Sequence, residues 1–155
     1  MNVSLEKKIA WITGGGEGIG RAIAIEGGDG LAAPGDVSDA GDMQRVVDQI
    51  VARFGGLHVV VANAGINGTW APLDSLTLDE WAETIDVNLT GTFLTLRAAI
   101  PEMKAAGGGS IVIVSSVNGT RVFSNEGATA YAASKAGQLA LGKMLALELA
   151  PERIR

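Results

Sequence analysis

A glycine-rich loop between a predicted strand and a predicted helix constrains the fold more than any other feature of this sequence. Residues 8–13 are largely apolar, residues 14–20 are mostly glycine, and residues 21–26 begin a helical pattern. Glycines permit a tight turn and a close approach of phosphate to the backbone, and a helix N-terminus supplies N–H donors. A glycine-rich turn without a ligand is the alternative, but the strand–loop–helix order favours a dinucleotide-binding loop.

The rest of the chain continues this alternation. Residues 57–62 and 110–115 are continuous apolar runs, typical of strands covered on both faces. Between the strands, one helix is predicted to begin at Ser38 or Asp39 and another at Thr77, where Glu80 completes a capping box. We therefore predict a single α/β domain over residues 1–155, with a Rossmann-like, doubly wound parallel sheet and helices on both faces.

A tyrosine and a lysine stand one helical turn apart near the C-terminal end. Tyr131 is the only tyrosine, and it precedes a helix-like apolar pattern over 136–150. Its i, i+4 spacing to Lys135 places both side chains on one helix face. An ammonium beside a phenol favours the phenolate, which makes such a tyrosine a candidate general acid and base. The alternative is chance placement on a solvated helix face.

Composition excludes several classes of function. The chain has no cysteine and one histidine, so disulfides, thiol catalysis and a metal site are not expected. His58 stands at the start of a predicted strand, and we interpret it as structural or solvent-facing. The net charge is −5 with no basic run, which argues against nucleic acid as a partner. With no apolar leader and no membrane-spanning run, the expected location is the cytoplasm and no membrane partner is expected.

Taken together, the motifs resemble those of the short-chain dehydrogenase/reductase family. The matching segments, in the family's order, are residues 13–20 (TGGGEGIG), 36–37 (DV), 63–65 (NAG), 87–91 (VNLTG), 115–116 (SS) and 131–135 (YAASK). The resemblance implies an NAD(P)-dependent oxidoreductase that interconverts a secondary alcohol and a ketone of a small-molecule substrate by hydride transfer.

The resemblance also implies roles for matching residues. Tyr131 is expected to transfer the proton, Lys135 to bind the nicotinamide ribose and favour the phenolate, and Asn88 to hold a water in a proton relay. Ser116 is expected to hydrogen-bond the substrate oxygen. It lies slightly further from Tyr131 than is usual in the family, while Asn118 falls nearer the usual spacing; we interpret this as a small loop insertion. Together with Tyr131 and Lys135, the implied cofactor-binding residues are Gly14, Glu17, Gly18, Ile19, Gly20, Asp36, Val37, Asn63, Ala64 and Gly65.

The choice between NAD and NADP depends on one loop position. Basic residues near the second glycine of the loop favour NADP in the family, and Glu17 stands there in this sequence. A carboxylate repels a 2′-phosphate, so we expect NAD rather than NADP. Asp36 and Val37 are expected to contact the adenine.

The sequence departs from the family between the glycine-rich loop and Asp36, and again at its C-terminal end. The glycines at 27, 28 and 30 break the first helix early, and residues 31–37 supply only a short strand, with Pro34 favouring a strand end. Too few residues separate Gly20 from Asp36 for a complete βαβ unit. We expect an incomplete chain that lacks the second-strand region and the C-terminal strands; a genuine short protein is the alternative.

The sequence leaves open how the apolar helix faces are covered and whether the domain is catalytic. The long helices predicted over 77–105 and 131–150 carry broad apolar faces, and the resemblance implies a homodimer or homotetramer through them. Burial of these faces against the protein's own sheet is the alternative. A non-catalytic dinucleotide-binding or interaction domain is the alternative to the enzyme.

Overall fold

The fold is α/β with one parallel sheet. The computed structural model describes residues 5–25, 30–121 and 126–155. Its strands are β1 (Ala10–Ile12), β2 (Val59–Ala62) and β3 (Ser110–Ile113). Its α-helices are α1 (Gly18–Ile25), α2 (Ala40–Phe54), α3 (Leu78–Ile85), α4 (Gly91–Ala105) and α5 (Thr129–Leu149). A π-helical turn (Asp86–Thr90) joins α3 to α4, and short 3₁₀ turns cover Val117–Gly119 and Ala150–Glu152.

The strand β2 is the centre of the sheet. It pairs in parallel with β1 on one side, where Trp11 lies opposite Val60, and with β3 on the other, where Ile111 lies opposite the same residue. Val60 is fully buried, and the core around it includes apolar side chains from α2 and α4. The apolar strands form a parallel sheet whose central strand is largely buried, which confirms the predicted parallel α/β fold.

The predicted helix boundaries rest on capping side chains. Asp39, rather than Ser38, caps α2, since its carboxylate accepts a hydrogen bond from Asp42 N at 2.8 Å. Gly55 ends the same helix in the left-handed region, with φ 85°. At α3, Thr77 and Glu80 form both hydrogen bonds of the predicted capping box.

The long helix predicted over 77–105 is interrupted by the π-helical turn. Gly91 N donates to Asp86 O, five residues earlier, in place of the usual i−4 bond. The wider turn leaves Asn88 O to accept hydrogen bonds from Thr92 Oγ1 (2.7 Å) and Gln138 Nε2 (2.8 Å). None of the described helices is both long and apolar enough to cross a membrane.

The short strand predicted over 31–37 is wrong. Residues 30–36 have no regular secondary structure, and two of their backbone groups bond to side chains of α2. Arg45 Nη2 donates to Pro34 O at 2.9 Å, and Asp36 N donates to Asp42 Oδ2 at 2.8 Å. Pro34 has no N–H to offer a neighbouring strand. Residues 26–29, which hold most of the predicted helix break, lie outside the described residues, as do 122–125 in the loop before α5.

Candidate active site

The ends of β1 and β2 are tied together beside the glycine-rich loop. Thr13 Oγ1 accepts hydrogen bonds from Asn63 N and Ala64 N, each at 3.0 Å, and Asn63 Nδ2 donates to Thr13 O at 3.0 Å. Thr13 is buried at 6% exposure. Sequence reasoning did not include Thr13 among the site residues, although a hydroxyl at a strand end directly before the glycines is a usable signal.

The predicted loop glycines have different roles. A Cβ on Gly20 would lie 2.5 Å from Asn63 Nδ2 and would also clash with Gly14 O, so only glycine fits there. Gly14 adopts φ 64°, and an added Cβ there would lie 3.0 Å from Ala64 Cα. By contrast, a Cβ on Gly16 or Gly18 would meet nothing within 4 Å. The loop is therefore packed on one side and open on the other.

The open side of the loop lies at the start of α1, where a dinucleotide diphosphate is predicted to bind. Gly18 begins α1, so N–H groups of the first helical turn are available where the loop faces open space. Glu17 and Ile19 have exposed side chains beside it, Ile19 at 65% exposure. The structure thus joins the predicted loop residues to Asn63 and Ala64 in one cradle.

The predicted adenine pair lies in the turn before α2. Two hydrogen bonds from Ser38, at 2.8 Å from its N and 2.6 Å from its Oγ, hold the carboxylate of Asp36 and lower its pKa below the ordinary value. Val37 packs against Gly91, where an added Cβ would lie 2.8 Å from Val37 Cγ2. No hydrogen bond within the described residues joins this pair to the glycine loop, and its contact with adenine stays a prediction.

Asn88 holds the segment that follows β2. Its side chain is fully buried; Oδ1 accepts from Ile66 N at 2.8 Å, and Nδ2 donates to Ile66 O at 2.9 Å and to Ser134 Oγ at 3.1 Å. Both amide hydrogens and the backbone carbonyl of Asn88 are therefore used by the protein itself. The predicted relay water stays a prediction, with Oδ1 as the acceptor that has capacity left.

Lys135 and Tyr131 share one face of α5, as the spacing predicts. Lys135 Nζ lies 5.7 Å from the centroid of the Tyr131 ring and donates to Val114 O at 2.9 Å. Lys135 is only 5% exposed, and this burial lowers its pKa below the ordinary lysine value. Among the described residues Lys135 forms no salt bridge, so its charge is not offset by a carboxylate.

The two serines after β3 differ in their bonding. Ser115 Oγ donates to Lys135 O at 2.9 Å and so anchors the strand end to α5. Ser116 Oγ accepts from Asn118 N at 3.3 Å, which leaves its hydroxyl hydrogen for another acceptor. Asn118 Oδ1 is buried with no hydrogen-bond partner among the described residues. This bonding favours Ser116 over Ser115 as the residue that contacts a substrate.

Gly65, which follows Asn63 and Ala64, lies close to both Asn88 and Lys135. A Cβ on Gly65 would lie 3.1 Å from Asn88 Oδ1 and 3.5 Å from Lys135 Nζ. Sequence reasoning missed Gln138, which is buried at 1% exposure and donates through Nε2 to Asn88 O and Thr92 Oγ1. Its position one turn beyond Ser134, on the face of α5 that carries Tyr131, was the available signal.

Comparison with known proteins places this geometry in context. Residues 24–155 match the model of the short chain dehydrogenase family. An uncharacterized NAD-dependent oxidoreductase of Mycobacterium tuberculosis is 47% identical over 87% of this chain and 48% of the relative. The trans-4-hydroxycyclohexanecarboxylate dehydrogenase of Sinomonas cyclohexanicum is 44% identical over 89% of this chain and 49% of the relative. The chain thus spans about half the length of these curated relatives.

A solved structure shows the same fold. The 3-ketoacyl-ACP reductase of Sinorhizobium meliloti superposes with a TM-score of 0.91 and 48% sequence identity, covering 94% of this chain and 68% of the other. This likeness confirms the predicted Rossmann-like architecture.

Proposed function

The chain belongs to the short-chain dehydrogenase family, and on this premise we propose that it is an NAD-dependent oxidoreductase that interconverts a secondary alcohol and a ketone. The observation that carries the proposal is Lys135, which is buried beside Tyr131, forms no salt bridge among the described residues and lies close to Gly65 at the edge of the glycine-rich cradle. Ser115, the neighbour of Ser116, donates to Lys135 O. A proton donor, a hydrogen-bond donor for an oxygen and a dinucleotide cradle are the groups this chemistry needs.

Tyr131 exchanges a proton with the substrate oxygen. In ketone reduction its phenol donates the proton, and in alcohol oxidation its phenolate accepts one. Ser116 donates its hydroxyl hydrogen to the same oxygen and orients it, because that hydrogen is not used within the described residues. When bound, the nicotinamide supplies or accepts the hydride.

Lys135 supports Tyr131 through its charge. Its Nζ lies 5.7 Å from the ring centroid, and no carboxylate offsets the charge among the described side chains. Burial strengthens the field that such a charge exerts on a neighbouring phenolate. The hydrogen bond to Val114 O fixes Nζ against the end of β3, where it also lies close to Gly65.

The cofactor is NAD in this proposal. The M. tuberculosis relative is named as NAD-dependent. In this chain, the exposed Glu17 sits in the glycine loop, where its carboxylate would repel a 2′-phosphate. The proposal predicts that NAD binds more tightly than NADP in a calorimetric titration. Glu17→Gln should reduce the difference between the two affinities.

Oligomerisation is proposed on the same family premise. The helices α4 and α5 expose Phe93 at 46%, Met144 at 54% and Leu147 at 72%. We propose that a homodimer or homotetramer covers these side chains. Light scattering measures the assembly, and Leu147→Glu should shift it toward the monomer.

The substitution Tyr131→Phe tests the function. It removes one hydroxyl and retains the ring beside Lys135, so kcat for ketone reduction should fall by about 10²- to 10⁴-fold, while calorimetric affinity for NAD should change far less. Unchanged kcat would exclude proton transfer by Tyr131. Nucleotide binding without turnover of any alcohol or ketone by the unmodified chain would instead indicate a non-catalytic dinucleotide-binding domain.

A further inference from the structure

We propose that Trp70 forms an apolar wall of the substrate site and favours ketones and alcohols carried on a ring over short acyclic ones. The proposal rests on the function proposed above, because it assigns a side chain to that same site. Trp70 lies on the loop between β2 and α3 and is 44% exposed.

The loop that carries Trp70 is fixed at successive points to the site. Ile66 is held at both its N and O by the Asn88 side chain. Gly68, with φ 65°, packs so closely on Thr84 that an added Cβ would clash with its hydroxyl. The loop backbone is therefore set by contacts that begin at the proposed proton-transfer residues.

The middle of this loop contacts the segment that leads into α5. Ala71 N donates to Gly127 O at 3.2 Å, and a Cβ on Gly127 would lie 2.9 Å from Trp70 C. Gly127 directly precedes Ala128, the N-cap of α5, and Tyr131 stands in the first turn of that helix. Trp70 thus lies at the rim of the site, beside the helix end that presents the phenol.

The chemistry of the exposed indole indicates the class of substrate. A large apolar ring exposed on a fixed loop offers a flat surface at little entropic cost. A ring bearing the reacting carbon can cover that surface, whereas a short acyclic ketone leaves most of it in water. The exposed Trp81 lies on α3 instead, at 36% exposure, and serves as the matched control.

The test compares two ketones and matched tryptophan variants of the full chain. With NADH, kcat/KM is measured for cyclohexanone and acetone in the unmodified protein, Trp70→Ala and Trp81→Ala. Trp70→Ala should lose about tenfold in kcat/KM for cyclohexanone, mainly through KM. Its acetone value should change by less than about twofold, and Trp81→Ala should leave both ketones within the same margin. An equal loss for both ketones, or no loss for either, would overturn the proposal.

A binding measurement separates this inference from the proposed function. Cyclohexanone with oxidised NAD cannot turn over, so a saturable change in tryptophan emission reports binding alone. The emission change should disappear in Trp70→Phe and persist in Trp81→Phe. If it persists in Trp70→Phe, Trp70 does not form a wall of the substrate site. If the unmodified chain binds cyclohexanone in this way but reduces neither ketone, the enzymatic function fails and the assignment of Trp70 stands. If turnover depends on Tyr131 but is unchanged by substitution of Trp70, the enzymatic function stands and the assignment of Trp70 fails.

Discussion

Replacing Asn88 with alanine should destabilise the protein by about 3 kcal/mol. The side chain makes three hydrogen bonds, two to the backbone of Ile66 and one to Ser134 Oγ, and it is fully buried. Each such bond contributes about 1 kcal/mol net, and a buried group left without a partner costs about 1–3 kcal/mol. The predicted loss is a large share of the roughly 5–15 kcal/mol that stabilises a typical domain.

Urea unfolding followed by circular dichroism measures this loss. Asn67→Ala is the control, because Asn67 is exposed on the same loop, and it should change the free energy of unfolding by less than about 0.5 kcal/mol. Asn88→Asp keeps an acceptor for Ile66 N but loses both donors and buries a charge, so it should cost at least as much as alanine. A loss below about 1 kcal/mol for Asn88→Ala would refute the view that this side chain fixes the loop after β2.

Three further predictions concern the scaffold. Gly20→Ala should cost about 1–3 kcal/mol in urea unfolding because its Cβ meets Gly14 O and Asn63 Nδ2, while Gly16→Ala should stay within about 0.5 kcal/mol. Asp39→Ala should cost about 1 kcal/mol by removing the cap of α2, and a neutral result would contradict that role. Burial, and then the charge of Lys8, lower the pKa of His58, so the unfolded chain binds more protons and stability should fall as pH drops below about 6.5. His58→Asn should reduce this fall in stability at low pH.

Local features of the fold were predictable because local chemistry determines them. The cap at Asp39, the capping box of Thr77 and Glu80, and the left-handed Gly55 each depend on neighbouring residues. The strands around Val60 follow from apolar runs too short for helices. The shared face of Tyr131 and Lys135 follows from helical periodicity.

Contacts between distant residues account for what the sequence did not reveal. The π-helical turn leaves Asn88 O to accept from Gln138, a partner fifty residues away along the chain. Residues 30–36 form no strand, and two of their backbone groups, Pro34 O and Asp36 N, bond instead to Arg45 and Asp42 of the next helix. Thr13 joins two strand ends through its hydroxyl. Predicting this role requires knowing which strands are neighbours in the sheet.

Three consecutive residues, 63–65, connect the proposed nucleotide cradle to the proposed proton-transfer residues. Asn63 binds the end of β1 through its side-chain amide, while Gly65 lies within contact distance of Asn88 and Lys135. A segment this short has little freedom once both ends are held. These contacts run through β2, the π-helical turn and α5, so the lack of a strand over residues 30–36 leaves them in place. The spacing between the proposed nucleotide cradle and the proposed proton-transfer residues is therefore set by described contacts that do not involve residues 30–36.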